Sequence, residues 1–450
     1  MKWECDWYQE KRNDSDIALY AQEDFFDNRF HPLKLYDSDT ILKNISSNEI
    51  FGLCRVNIFT PTYLKDMFAE FPPIFKKTTI TLNDVGEHMK SIAIDHGLRE
   101  STKRKNLILS YYGINIWLIS PLVKWYLEKG LQIEVHEFVS FTPKACFKEY
   151  IDLVTEKRRL GDVDKDSSLI AEQMKLLANS SFGKFITNCE GQFTVTFGNS
   201  NKARTKVNDP NFRKLEELDD DIYEINVLHP NVKLELPMVI GLFVLQEAKH
   251  IILRFIYDFL KVYFRSDDIQ LLAHDTDSVY IAATVDNIED LLHPCLREKY
   301  YNVERDRWFP TECCANHKSD YVQCKLEDKI WIKQPCCNHE YIRQIRTPGL
   351  FKEEFSGTKF IGLSPKCYFA YNEKKSKLSC KGVRKNNNLQ YEDFEKIINR
   401  TESKIKCINR GFLSVKGEMK SYQQVKNGLT NLYFKRIVDE DNISTHPLLV

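Results

Sequence analysis

Two carboxylates stand two positions apart in Asp275-Thr276-Asp277-Ser278, between the short apolar runs Leu271-Leu272-Ala273-His274 and Val279-Tyr280-Ile281-Ala282. The pattern predicts a β-hairpin with its acids at the tip. Because side chains alternate along a strand, Asp275 and Asp277 are expected on one side, near one metal-sized site. Such a pair offers the hard oxygen donors that Mg²⁺ prefers, and two-metal phosphoryl transfer needs a cluster of this kind. Taken alone, an Asp-x-Asp at a turn is better read as a solvated turn.

A second segment is Lys175-Leu176-Leu177-Ala178-Asn179-Ser180-Ser181-Phe182-Gly183, on a helix that Ser167 or Ser168 is expected to cap and that runs to about Ser180. Lys175 and Asn179 are four apart and share a helix face, so a cation and an amide can address one ligand. Lys suits a triphosphate as a point charge. The plainer reading is an amphipathic helix closed at its C-terminus by Gly183. A third group, Cys313, Cys314, His317, Cys324, Cys336, Cys337 and His339, consists of residue types that bind zinc. Zinc modules usually separate paired cysteines by two to four residues, whereas these pairs are adjacent. A Cys-rich insertion is therefore preferred, with a structural Zn²⁺ as the lesser alternative.

The chain that must position these groups has 450 residues, 42% of them hydrophobic, enough for two or three subdomains with their own cores. Lys plus Arg and Asp plus Glu both number 64, so any nucleic-acid surface has to be local. Basic clusters occur at Lys103-Arg104-Lys105, Lys157-Arg158-Arg159, Lys374-Lys375 and Arg384-Lys385, offset by the acidic stretch Glu216 to Asp221; such runs are usually solvated faces. The 13 cysteines show no disulfide spacing and no signal peptide precedes them, which points to a reducing intracellular setting, the nucleus among the candidates. The longest apolar run, Leu236 to Leu245, is about half a membrane span. The chain opens on the aromatic-rich Met1-Lys2-Trp3-Glu4-Cys5-Asp6-Trp7, as a fragment would.

Glu49 to Phe59 reads as a strand closed by Thr60-Pro61, then a short helix from Thr62 to Glu70 ended by Pro72-Pro73. A helix starts at Ser120-Pro121, carries Leu122, Val123, Tyr126 and Leu127 on one face and stops at Gly130; strand-like Leu131 to Phe141 follows. Phe147 to Arg159 is helical, Gly161 to Asp166 a polar turn, and Asn199 to Asp221 an insertion or mobile loop. Pro237 starts a long apolar helix to about Phe264. Strands recur at Cys367 to Tyr371 and Lys377 to Val383, and the last sixty residues read as mixed helical with a tail.

Lys175-x-x-x-Asn179-Ser180-x-Phe182-Gly183 followed by Asp275-Thr276-Asp277-Ser278 resembles motifs B and C of family B DNA polymerases. Lys366-Cys367-Tyr368, then Lys381-Gly382-Val383, is similar to the segment with which the palm of those enzymes holds the primer end. Phe51-Gly52-Leu53, Phe71-Pro72-Pro73-Ile74-Phe75-Lys76 and Asn409-Arg410-Gly411-Phe412 look like the polymerases of polinton (Maverick) mobile elements, so the resemblance spans nearly the whole chain. It implies an α+β right-hand core with an antiparallel-sheet palm, helical fingers and a small thumb. It also implies that Lys175 binds nucleotide phosphates while Asn179, Ser180, Phe182 and Gly183 shape the nucleotide pocket. Asp277 would be the main metal ligand with Asp275 beside it, and Lys366, Tyr368 and Lys381 would face the primer. The implied cofactor is Mg²⁺ or Mn²⁺. The implied partners are primer-template DNA, deoxynucleoside triphosphates and a terminal priming protein.

On this resemblance the chain divides into 1–48, a remnant of an upstream region; 49–165, palm-proximal; 166–228, fingers helix and insertion; 229–390, palm with the acidic hairpin and the Cys/His-rich insertion; and 391–450, thumb and tail. The family pattern Asp-x-x-Ser-Leu-Tyr-Pro, which supplies a further palm aspartate, is absent upstream of residue 175, and no exonuclease segment is expected. Asn57, in Cys54-Arg55-Val56-Asn57-Ile58, either replaces that aspartate or lies on the strand that normally follows it, the second being preferred. Asp37 and Asp39 are expected in a surface turn. Phe182 stands where the family has Tyr, keeping a ring and losing a hydroxyl. The rivals are a catalytically inactive mobile-element relic that still binds DNA and a zinc-stabilised nucleic-acid-binding protein. An RNA-templated polymerase is disfavoured, because the hairpin lacks Tyr-x-Asp-Asp.

Overall fold

A computed structural model of the protein describes residues 37–450 apart from 190, 232–234, 328–330 and 416–417. Most of the expected upstream remnant, residues 1–36 with the aromatic-rich opening, lies outside the described residues. Asp37 is not in a surface turn. Its carboxylate accepts from the Thr40 N–H at 2.7 Å and caps the helix Ser38–Ser46, with Asp39 in the first turn, where the helix dipole favours an acid.

The principal core forms around a three-stranded antiparallel sheet with Gly52–Phe59 in the middle, flanked by Tyr112–Ile119 and Gln132–Ser140. Leu53, Cys54, Val56 and Ile58 are buried, as a strand covered on both faces requires. Gly52 permits the tight pairing, since a Cβ there would lie 2.0 Å from the Val139 carbonyl oxygen. The helix Ser120–Glu128 buries Leu122, Val123 and Tyr126 of the expected face together with Trp125, which that face does not include, while Leu127 is half-buried, and Gly130 follows at φ +83°. Each such fully buried side chain contributes about 1.5–3 kcal/mol. The Thr62 to Glu70 helix shrinks to one turn, Thr62–Leu64. Pro72-Pro73 leads instead into the strand Ile74–Thr81, paired with Lys103–Ser110.

Beneath the sheet runs Met238–Arg254, continued through a wider π turn, Phe255–Leu260, to Tyr263. The Gln246 side chain accepts from the Ile119 N–H at 2.9 Å and donates to the Trp117 carbonyl at 2.7 Å, fastening this helix to the sheet edge. Its start meets a helical hairpin, Lys148–Val163 and Ser168–Phe185, at Gly241, where a Cβ would lie 2.1 Å from Ile186.

Several local expectations about that hairpin change. The first helix continues through Gly161 to Val163, and Asp164 organises the short connection by accepting from the Ser167 hydroxyl and the Asp166 N–H. Ser167 makes no side-chain cap, and Gly183 lies inside the second helix, which ends at Phe185. The stretch expected as an insertion or mobile loop is folded. Phe193–Gly198, Ile222–Leu228 and Phe212–Asp219 form an antiparallel sheet with the helix Ser200–Val207, whose cap is the Asn199 side chain.

The last sixty residues are mostly β. After the helix Tyr391–Ile398 come a long hairpin, Lys404–Val415 with Glu418–Thr430, and a small one, Arg436–Val438 with Thr445–Pro447. Phe434, Val438 and Leu448 pack with Ile80, Leu82, Val85 and Met89, so the C-terminus closes a core begun early in the chain.

Candidate active site

The acidic hairpin pairs Ile269–Asp275 with Ser278–Ala283, Asp275 opposite Ser278. Strand alternation does not direct both acids, because Asp275 ends its strand and Asp277 belongs to the turn. The turn is three residues tight. The Asp277 N–H donates to the Asp275 carbonyl at 2.6 Å around Thr276, whose φ is +55°. A β-branched residue in the left-handed region is an outlier that costs on the order of 1–3 kcal/mol and persists only where its surroundings hold it.

His274 sits against the rings of Phe71 and Phe75, at 5.0 and 6.1 Å, and burial holds its imidazole below the usual histidine range, with Lys435 adding to the shift and Asp275 opposing it. The Leu271 N–H donates to the Glu70 carboxylate, which also pairs with Lys261 at 3.1 Å. The Phe71-Pro72-Pro73 segment therefore brackets the hairpin.

A second tight turn faces the first. Between the strands Lys359–Ser364 and Cys367–Tyr371, Pro365-Lys366 has the pattern of a type II turn, with Lys366 at φ +63° where Gly is favoured. The Lys366 ammonium stands 3.4 Å from Asp275 Oδ1. Behind it the Tyr368 and Tyr280 hydroxyls are 2.9 Å apart and their rings 5.0 Å, with Phe360 stacked on Tyr368 at 5.7 Å. Burial, then the bond to Tyr280, pushes the Tyr368 phenol up. The aromatic contacts contribute about 0.5–1.5 kcal/mol per pair beyond their area. The ion pair, 54% and 33% exposed, is worth about 0–1 kcal/mol.

Lys381 donates its N–H to the Lys366 carbonyl at 3.0 Å. Half-buried Lys435 lies near it, its amine held below the usual lysine range by burial and by Lys381. Lys366 thus meets Asp275 at the hairpin tip, with Lys381 bonded to Lys366 through its main chain and Lys435 near Lys381 and His274. Lys435 and Glu70 carry no motif signal and are located only by the fold.

Lys175 and Asn179 project from an exposed helix of which no residue is buried. Lys175 has no carboxylate partner among the described residues. Ser180 bonds back to the Leu177 carbonyl at 3.2 Å, Phe182 is half-buried, and a Cβ at Gly183 would meet nothing within 4 Å. Within the basic cluster Lys157-Arg158-Arg159, Arg159 is committed elsewhere. Arg159 pairs with Glu156 and donates to the Arg343 carbonyl and the Thr347 hydroxyl.

Among the described residues no third carboxylate, histidine or cysteine joins Asp275 and Asp277 in a ligand group. Asn57 is occupied within its sheet, donating to Glu134 at 3.1 Å and accepting from the Asn115 N–H at 3.0 Å. Residues 29–230 match the family model of DNA polymerase type B, organellar and viral. The match takes in Lys175, Asn179 and Phe182 and ends before the acidic hairpin. No curated protein and no solved structure matches the chain.

Proposed function

From the match of residues 29–230 to the family model of DNA polymerase type B, organellar and viral, we propose that the chain is the polymerising core of a DNA-directed DNA polymerase of mobile-element, polinton-like kind. The observation that carries the proposal is the approach of Lys366 to Asp275 with the Tyr280–Tyr368 contact behind it, which joins two of the three motif segments in space.

In this reading the acidic hairpin and the sheet bearing Lys366 form the palm, the Lys148–Val163 and Ser168–Phe185 hairpin the fingers, and the long hairpin after Lys404 part of the thumb. Asp275 and Asp277, with substrate phosphate oxygens, make an oxygen donor set that Mg²⁺ or Mn²⁺ accepts. When bound, the ion neutralises charge that develops on the transferred phosphate. Lys175, unpaired on an exposed helix face, holds triphosphate oxygens, and Asn179 beside it orients the nucleotide. Ser180, Phe182 and Gly183 complete that pocket, Phe182 as the stacking ring. Lys366, Tyr368 and Lys381 hold the primer end, so that its 3′ oxygen meets the nucleotide in line.

A second reading, an inactive relic, is favoured by the lack of a third carboxylate at the hairpin among the described residues. Primer extension with Mg²⁺ or Mn²⁺ separates them, comparing this chain, its Asp277→Ala variant and a chain extended through the upstream reading frame. Extension that the variant loses establishes the polymerase. Extension by the longer chain alone makes this chain a core that needs an upstream ligand, and extension by none establishes the relic.

A further inference from the structure

We infer that Cys314, His317, Cys336 and Cys337 form a structural zinc site that ties the segment after residue 310 into a brace between the acidic-hairpin region and the helical hairpin bearing Lys175. Their four ligand atoms all lie within 4.8 Å of one another. Cys314 Sγ is 3.6 and 3.7 Å from the Cys336 and Cys337 sulfurs, and His317 Nδ1 is 3.3, 3.5 and 3.3 Å from Cys314, Cys336 and Cys337. A tetrahedral ion with Zn–S near 2.3 Å and Zn–N near 2.0–2.1 Å has S···S edges of about 3.8 Å and S···N edges of about 3.5 Å. The sulfurs are too far apart for disulfides, which need about 2.05 Å.

Adjacency, the objection raised by the spacing, disappears in three dimensions. Pro335 opens the helix Pro335–Gln344, so Cys336 and Cys337 fall in its first turn, one exposed and one buried, where the helix dipole favours thiolates. His317 directly precedes the helix Lys318–Leu326, which brings Cys314-x-x-His317 across from them. Cys324 and His339 stay outside the group, and Cys313, 3.6 Å from Cys337, lies behind it.

The segment needs such a staple. Its own core is Cys313, Tyr321 and Cys337 with a few half-buried neighbours, far short of what holds two helices together unaided. Both ends are gripped by charge. On one side buried Arg305 bonds Glu289, Glu312 and the Pro310 carbonyl. On the other Arg346 forks onto Asp162, and Arg159 reaches Arg343 and Thr347. Binding breaks three S–H bonds, releases three protons to solvent and forms three Zn–S bonds and one Zn–N bond, so affinity falls as pH falls.

The test is metal content of the whole chain purified from zinc-supplemented cells, with Co²⁺ exchanged in as a spectroscopic probe; neither readout depends on polymerase activity. The expected result is one zinc per chain, with tetrahedral cobalt bands and thiolate-to-cobalt charge transfer. Zinc is lost in Cys314→Ser and Cys337→Ser and kept in Cys324→Ser and His339→Ala. His317→Cys keeps the metal and moves the cobalt spectrum toward four thiolates, which decides the matter even where a serine variant fails to fold. Wild-type protein that holds no zinc and develops no cobalt bands overturns the site, as does full retention in Cys337→Ser or a Cys314–Cys336 disulfide found by mass spectrometry under reducing purification.

Discussion

Lys366 Nζ and Asp275 Oδ1 meet at 3.4 Å, each carried on or beside a turn residue with φ near +60°, Lys366 itself at +63° and Thr276 at +55°. Neither turn is the cheapest available, since Gly would relax both. The exposed ion pair between them is worth too little to offset the strain. Two strained tips facing each other are therefore better explained by what they hold than by stability. Lys366→Ala is expected to leave thermal unfolding nearly unchanged, to lower primer extension roughly 10²-fold, and to reduce the salt dependence of primer-template binding by about one phosphate contact. Extension assays and binding titrations over salt check both.

The Tyr280–Tyr368 hydroxyl bond gives a stability prediction. Tyr280→Phe or Tyr368→Phe should each cost about 1 kcal/mol, because one hydroxyl loses its partner. The double variant should cost little more than either single one, since no orphaned hydroxyl remains. Urea titrations of the three variants measure this.

Gly183 separates helix stability from ligand approach. It lies inside Ser168–Phe185 with open space beside it, so Gly183→Ala should stabilise the helix by up to about 1 kcal/mol. If a nucleotide covers that face, the same variant raises the KM for deoxynucleotide. Steady-state kinetics beside thermal melting detects opposite signs.

His274 sets a pH dependence. Burial lowers its folded pKa below the unfolded value near 6.5, so in acid the unfolded chain takes up a proton that the folded chain refuses. Stability from this residue is complete above pH 6.5 and falls as pH drops through that value toward the depressed folded pKa. His274→Phe, matching its Phe71 and Phe75 surroundings, should flatten melting temperature against pH between about 7 and 5.

Arg305 is 4% exposed and answers Glu289 and Glu312 together. Arg305→Ala would leave the mostly buried Glu289 carboxylate with Lys325 as its remaining cation, and should cost about 3–5 kcal/mol. Denaturant unfolding measures the loss, and Lys318→Ala, at an exposed pair with Asp306, serves as a mild control.

Elements whose information is local were legible from residue order alone. Apolar periodicity with Pro121 and Gly130 marked the Ser120–Glu128 helix, and a continuous apolar run marked the long helix after Pro237. Two short strands around Asp-Thr-Asp marked the hairpin, and residue types four apart marked Lys175 and Asn179. Features that depend on contacts between distant segments became visible in the folded chain. Polar composition made 199–221 read as a loop, although its strand 212–219 pairs with 222–228, which in turn pairs with 193–198. Adjacent cysteines hid a candidate ligand group, because only the fold brings a helix start and a loop, Cys336-Cys337 and Cys314-x-x-His317, within 4.8 Å of one another. Lys435 and Glu70 reach the hairpin because the C-terminus folds back and a proline-ended loop passes beneath it. A residue's own type and spacing fix its local backbone preference, whereas its partners are fixed by which buried faces the whole chain must cover at once.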